Sequence, residues 1–323
     1  MRFWAHALIA EPTYELSRDA LMELIAENDD WQSADAYVDA VRGGDTNLVE
    51  TYLSKARTSF DAGDLDMADR LNQRASAFKR ENLPQLDAFA ICRAQSEVAQ
   101  KDGTLNEWYT KIADKYENYW AEVTAVSIDE SHAEWQNLPD RKQLAALIAA
   151  AVGRTKGEAV QVFEIGCLAG FNLALAQAEI GTLSDRIIYG GLEPNEAAIN
   201  HGQALYPWIE FVSGTVQDMV EGKLDIPAQI DVCVVSRVFM ILPPDDVIRI
   251  LFWIRSRADQ LIICDDIMNV EGEMSVIRTP PDFLIMHPFR RLLNEAGFEI
   301  ESLEMAAVPD RECTGVITAS AKS

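Results

Sequence analysis

From about residue 158 onward, short apolar runs rich in β-branched residues alternate with stretches of helical periodicity, and this alternation constrains the fold more than any other feature of the chain. The runs are 159–165 (AVQVFEI), 186–192 (RIIYGGL), 209–212 (IEFV), 230–236 (IDVCVVS) and 260–265 (QLIICD). The spacing between them predicts helices over 171–180, 195–206, 215–222 and 244–257, and a further helix over 284–296. Two last strands, near 298–305 and 313–320, would be joined by a turn at Pro309-Asp310. Repeated strand–helix units imply a mostly parallel sheet with helices on both faces. Val232 to Val235 and Leu261 to Cys264 read as unbroken apolar runs, as strands buried on both faces do.

The first half has a different rhythm. Residues 13 to about 152 show apolar positions three and four apart, with breaks at Gly43-Gly44, Gly63-Asp64, Pro84 and Gly103. An antiparallel array of helices follows. Residues 56–75 resemble a tetratricopeptide repeat, with Ala56, Ala68 and Ala75 at its small positions and Gly63-Asp64 at its turn. Ser59, Asn72 and Arg80 depart from that pattern, and a plain helical hairpin with small residues at the crossing reads the same residues. The expected organisation is a helical array over 1–103, aromatic-rich connector helices over 104–157 and an α/β domain over 158–323.

Charge and cysteine usage narrow the function. The chain has 52 acidic and 28 basic residues, a net charge of −24. That argues against a phosphate-tracking groove for nucleic acid and against adhesion to an anionic membrane. Cysteines at 92, 167, 233, 264 and 313 form no C-x-x-C pair, against a disulfide framework or zinc site and for a reducing compartment. No run reaches 18 apolar residues, and the N-terminal apolar stretch is too short for a signal peptide. The expected location is the cytoplasm.

The sharpest motif is VFEIGCLAGFN, 162–172. A strand closes on Glu164-Ile165-Gly166, and Gly170 opens the next helix. Gly166 can take φ values closed to other residues and lets a ligand approach the backbone. The loop lies at the carboxyl end of the first strand, where open α/β sheets bind ligands. Glu193, in GGLEPN at the end of the next strand, can accept both hydroxyl protons of a ribose.

On these residues, the region 158–321 resembles the class I S-adenosylmethionine-dependent methyltransferases. The resemblance implies a Rossmann-like, seven-stranded sheet with its last strand antiparallel and inserted beside the fifth. It implies S-adenosylmethionine as cofactor and S-adenosylhomocysteine as product. Gly166, Cys167, Gly170 and Asn172 would form the methionine-end loop, and Glu164 would orient that end. Glu193 and Pro194 would lie at the ribose, Thr215 and Val216 at the adenine, and Ser236 and Arg237 beside the transferable methyl. Thr215 stands where many members carry Asp, a place Asp218 could take over. The Asn/Asp-Pro-Pro-Tyr signature of nucleic-acid amino methylases is absent after the fourth strand. Nicotinamide-type and P-loop glycine motifs also fit poorly.

The acceptor side is less determined. Residues 108–120, WYTKIADKYENYW, form either a core stripe or a lid, with Tyr116 as a lid residue near the reaction. His132 and Trp135 follow in the connector. His287, in MHPFRR, is the candidate general base, with helix capping as its alternative. Arg290-Arg291 could hold an acidic substrate. Asp265-Asp266 read as solvated strand-end acids rather than metal ligands. The expected function is methyl transfer to an O or N atom of a small molecule or biosynthetic intermediate. The rivals are a protein methyltransferase that recruits its target through the helices, and a non-catalytic interaction module. The N-terminal helical array would serve as a lid, a homodimer interface or a dock for a protein partner.

Overall fold

The computed structural model describes residues 46–76, 88–122, 124, 128, 136–267, 275–278, 284–306 and 314–322. The chain divides into two compact units, Met1–Gln95 and Ser96–Ser323. In the first, helices α1 (Thr46–Asp61) and α2 (Leu65–Ser76) form a hairpin. Gly63 turns it in the left-handed region, φ 80°. Asp64 caps α2 by accepting the Met67 N–H at 3.2 Å. Ala56 and Ala68 are fully buried, with Leu53 and Leu71 also in the core. Small residues let two helices approach, in a repeat and in a plain hairpin alike. Helix α3 (Ala88–Lys101) runs across the boundary between the units.

The second unit continues with α4 (Leu105–Glu122) and α5 (Pro139–Arg154), then β1 (Val160–Ile165), α6 (Phe171–Ile180), β2 (Ile187–Glu193), α7 (Glu196–Leu205), β3 (Ile209–Ser213) and α8 (Val216–Val220). It goes on through β4 (Ile230–Ser236), α9 (Pro244–Arg255), β5 (Ala258–Asp266), β6 (Val276–Arg278), β7 (Leu284–Met286), α10 (Phe289–Ala296), β8 (Phe298–Met305) and β9 (Thr314–Ala321). Among the described residues a seven-stranded sheet has the order β3-β2-β1-β4-β5-β9-β8. Its first five strands are parallel, and β9 is antiparallel to both β5 and β8. This is the Rossmann-like, mostly parallel seven-stranded sheet, with its last strand antiparallel and beside the fifth, that the sequence resemblance implied. No described helix is long and apolar enough to cross a membrane.

Strand residues alternate between two cores, as the pleat requires. Phe163, Cys233, Val235, Leu261 and Ile263 pack with α9 and α10. Val162, Val232, Val234, Ile262 and Cys264 pack with α5 and α6 on the other face. With both faces covered, the parallel strands have to be apolar throughout.

One expected boundary is corrected. Residues 284–286 are a strand, paired with β6 in a separate two-stranded sheet, and α10 begins only at Phe289. Pro288 explains it. The residue before a proline is pushed out of the helical region, so no helix runs through His287-Pro288. The Pro309-Asp310 turn lies outside the described residues.

Candidate functional site

The turn leaving β1 is held from several sides. Gly166 N–H and Cys167 N–H both donate to the Leu192 carbonyl, at 2.8 and 3.0 Å. Gly166, Leu168 and Gly170 take φ values of 71°, 50° and 81°. Leu168 is left-handed without being glycine, a strain that neighbouring contacts must hold in place. Three more glycine contacts fix the turn, two of them to glycines of other elements. A Cβ on Gly191 would fall 2.4 Å from Cys167 Sγ, one on Gly202 would fall 2.8 Å from the Ala169 carbonyl oxygen, and one on Gly170 would meet Ile209 at 2.5 Å. The turn is therefore seated on bare backbone of β2 and α7. Gly191 and Gly202 were not singled out in the sequence, because their role depends on strand register and helix placement.

Glu193 ends β2 beside this turn, half in contact with it. Its Oε2 accepts the Leu168 N–H at 2.9 Å and its Oε1 the Asn195 N–H at 3.0 Å. A carboxylate offers about four acceptor positions, so each oxygen keeps a further one. Burial raises the Glu193 carboxyl above its ordinary range, and the two backbone donors partly offset that. Pro194 follows directly, and Asn195 caps α7 by accepting the Ala198 N–H at 2.9 Å.

Glu164, fully buried in β1, accepts Asn172 Nδ2–H at 2.6 Å through Oε1. Its Oε2 has no hydrogen-bond partner among the described residues. Burial pushes this carboxyl up to about 7. Asn172 Oδ1 in turn accepts from Arg141 Nη1 at 2.8 Å, and the same Nη1 donates to Ser236 Oγ at 2.9 Å. Arg141 belongs to the first turn of α5, next to Asp140, whose carboxylate pairs with Arg237. Arg237 itself sits at φ 58° just past β4. Four residues expected in one site, Glu164, Asn172, Ser236 and Arg237, do converge. Asp140 and Arg141 join them from a helix that sequence reasoning treated only as connector. An Asp-Arg dipeptide in the first turn of an Ala-rich helix was the signal available.

Val238 covers the turn from the side of β4. A Cβ on Gly166 would lie 2.4 Å from Val238 Cγ2. The bare face of this glycine is thus covered by a side chain of the loop after β4.

Thr215 and Asp218 form a reciprocal cap on α8. Asp218 Oδ2 accepts from Thr215 Oγ1 at 2.7 Å, and Thr215 Oγ1 accepts the Asp218 N–H at 3.1 Å. Lys223 takes Asp218 Oδ1. The Asp218 carboxylate is committed to this cap, and those bonds hold it below its ordinary range. Val216, first residue of α8, lies beside it.

Asp265 and Asp266 are not solvated. They are 0% and 1% exposed. Asp265 Oδ2 accepts the Met240 N–H at 3.3 Å and Oδ1 the Asp266 N–H at 2.8 Å, while Asp266 Oδ1 accepts from Thr314 Oγ1 at 3.0 Å. Burial and the neighbouring Asp266 push Asp265 up to about 7. The described residues contain no cluster of metal-ligating type.

His287 is fully buried, with Nε2 2.8 Å from the Phe239 carbonyl and Nδ1 2.8 Å from Ser275 Oγ. A carbonyl oxygen can only accept, so Nε2 carries the proton and Nδ1 accepts from the hydroxyl. Burial lowers this imidazole to about 4. A general base needs a free lone pair facing solvent or substrate, and neither nitrogen has one here. Arg290 and Arg291 are exposed, with Arg291 near Glu295 of its own helix. On α4, Tyr109 and Ile112 are buried against Ile285 of β7. The side chains of Tyr116, Tyr119 and Trp120 lie outside the described residues, as do His132 and Trp135.

No protein-family model and no curated protein matches this chain. Solved structures are similar to it. Magnesium protoporphyrin IX methyltransferase (ChlM) from Synechocystis PCC 6803, with bound SAM, is 13% identical with a TM-score of 0.46, covering 65% of this chain and 97% of that one. The 1,6-didemethyltoxoflavin-N1-methyltransferase of Burkholderia thailandensis is 15% identical with a TM-score of 0.48, covering 68% and 90%. DesVI of Streptomyces venezuelae is 15% identical with a TM-score of 0.45, covering 62% and 99%.

Proposed function

We propose that this chain is an S-adenosylmethionine-dependent methyltransferase acting on an O or N atom of a small molecule. The observation that carries the reading is the pairing of the β1 turn with Glu193. A buried carboxylate, fixed by two backbone N–H groups, stands at the tip of the neighbouring strand with acceptor positions to spare. The residues fit the cofactor at its other end too. The partnerless Oε2 of Glu164 calls for a donor, which the amino group of the methionine moiety would provide. When bound, the cofactor supplies an activated methyl on a positive sulfur. The chain's own task is then to align and to exclude water. Glu193 would grip the ribose hydroxyls, Glu164 and Asn172 would hold the amino-acid end, and the loop Ser236 to Val238 would wall the methyl. Backbone beside Thr215 and Val216, rather than the capped Asp218, would meet the adenine. No base is assigned, since His287 has both nitrogens engaged.

A second reading, a domain that keeps the fold without the cofactor, draws on Val238, whose methyl fills the space over Gly166. Calorimetry with S-adenosylmethionine and S-adenosylhomocysteine separates the two. The first reading expects saturable binding that weakens about 10–100-fold in Glu193→Ala, the effect of losing hydrogen bonds to a charged acceptor. Absence of binding by the unaltered chain supports the second.

A further inference from the structure

The loop after β4 is over-determined in a way that packing alone does not require. Arg237 is left-handed without being glycine, and its N–H donates to the Cys264 carbonyl at 2.8 Å. Phe239 to Ile241 then form a short 3-10 turn. Two buried polar side chains from separate elements grip it. Asp265, next to last in β5, accepts the Met240 N–H. His287, following β7, donates Nε2–H to the Phe239 carbonyl while Ser275, just before β6, holds its other nitrogen. An isolated bridge between Ile267 and His287 ties the end of β5 to the same point. The surroundings are apolar: Phe239 and Phe289 have ring centroids 5.7 Å apart, and His287 and Phe289 5.8 Å apart. Apolar side chains would fill that space without the desolvation cost of an acid and an imidazole. What the polar pair adds is direction, since each bonds one particular backbone group. Backbone strain held from several sides is characteristic of segments whose exact shape matters to a ligand.

We propose that Asp265 and His287 are positioning residues that clamp the Ser236–Ile241 segment and, through Val238, set the space over Gly166 in which donor and acceptor meet. This deepens the transferase reading above and rests on it. His287 thereby acts through the Phe239 carbonyl and not as a base. The β6–β7 hairpin, which carries Ile285 against Tyr109 and Ile112 of α4, is the support from which the clamp is applied.

The test uses the full chain, with S-adenosylhomocysteine as probe, well below the unfolding temperature. His287→Leu removes the donor to Phe239. It is expected to speed amide hydrogen exchange at Met240 to Leu242 by about tenfold, leave β1 and β2 amides unchanged, and weaken binding several-fold. His287→Gln, whose amide can again donate to that carbonyl, is expected to restore both. Glu193→Ala should weaken binding about 10–100-fold without altering exchange at Met240 to Leu242. If His287→Leu does not fold, Ser275→Ala takes its place, with smaller effects of the same sign. A His287→Leu protein that is merely less stable, with affinity and local exchange unchanged, overturns the clamp. So does a His287→Gln protein that fails to rescue. If the unaltered chain binds no S-adenosylhomocysteine, the transferase reading fails first and the clamp loses its purpose with it.

Discussion

At the scale of single residues, the site depends as much on absent side chains as on present ones. Gly191 has no Cβ because Cys167 occupies that volume, 2.4 Å from where the carbon would stand. Real Cβ atoms do not approach so closely, so a methyl there must push the β1 turn outward. Gly191→Ala is expected to displace Leu168 N–H from Glu193 and weaken S-adenosylhomocysteine binding at least tenfold. Gly191→Ala combined with Cys167→Gly vacates the volume and should recover most of the affinity. Titration of the three proteins checks this, and equal loss in the double variant would show that the contact is not the cause. Glu164, Gly166 and Glu193 were legible from sequence because each follows from a local rule, a strand ending in an acid or in a glycine turn. Gly191 and Gly202 were not, since a glycine inside a strand or helix gains meaning only from what lies across from it. The buried state of Asp265 and Asp266 was likewise missed. Charged residues at a strand end are usually solvated, and here β9 and the loop after β4 cover them.

At the scale of elements, α5 does more than connect. Its first turn delivers Asp140 to Arg237 and Arg141 to Asn172 and Ser236, and its apolar face, Leu144, Ile148 and Val152, anchors it on the sheet. Breaking a buried ion pair from one side leaves an uncompensated charge. Asp140→Leu is expected to cost about 3–5 kcal/mol of stability. Asp140→Leu with Arg237→Met removes both charges and should recover most of it, which chemical denaturation would measure. An unrecovered double variant would mean that the helix depends on something other than the pair. Helical periodicity up to about residue 152 implied a helix here, but neither its start at Pro139 nor the end of the sheet into which its N-terminus reaches. The β6–β7 hairpin was missed for a different reason. Three-residue strands carry too little periodicity to read, and the apolar Leu284-Ile285-Met286 was absorbed into the helix that follows.

At the scale of the whole molecule, buried titratable groups set a pH dependence of stability. Glu164 and Asp265, both raised to about 7, contribute stability that is fully present below their unfolded values near 4 and is lost as pH rises through 7. His287, lowered to about 4, contributes the opposite. Its stability is present above its unfolded value of 6.5 and is lost as pH falls toward 4. Between about pH 4.5 and 6.5 the two acids, with Glu193 raised in the same direction, outweigh the imidazole, so stability falls as pH rises across that window. Asp265→Asn removes one acid and should flatten the fall in melting temperature between pH 5 and 7. An unchanged profile would show that this carboxyl titrates at its ordinary value. A parallel sheet closed by an antiparallel pair was legible at this scale because strand–helix repeats and a final helix–strand–strand each leave a pattern in the chain, whereas the place of β9 beside β5 followed only from the family resemblance. What covers Gly166 was not, for it depends on where Val238 comes to rest.

The central claim concerns a nucleoside at the carboxyl ends of β1 and β2, and a crystal structure with S-adenosylhomocysteine bound tests it most directly. The account predicts both ribose hydroxyls within hydrogen-bond distance of the Glu193 carboxylate, the amino group on Glu164 Oε2, and Val238 shifted off Gly166. Saturating ligand that leaves Glu193 bonded only to Leu168 and Asn195, with the nucleoside elsewhere or nowhere, would contradict it.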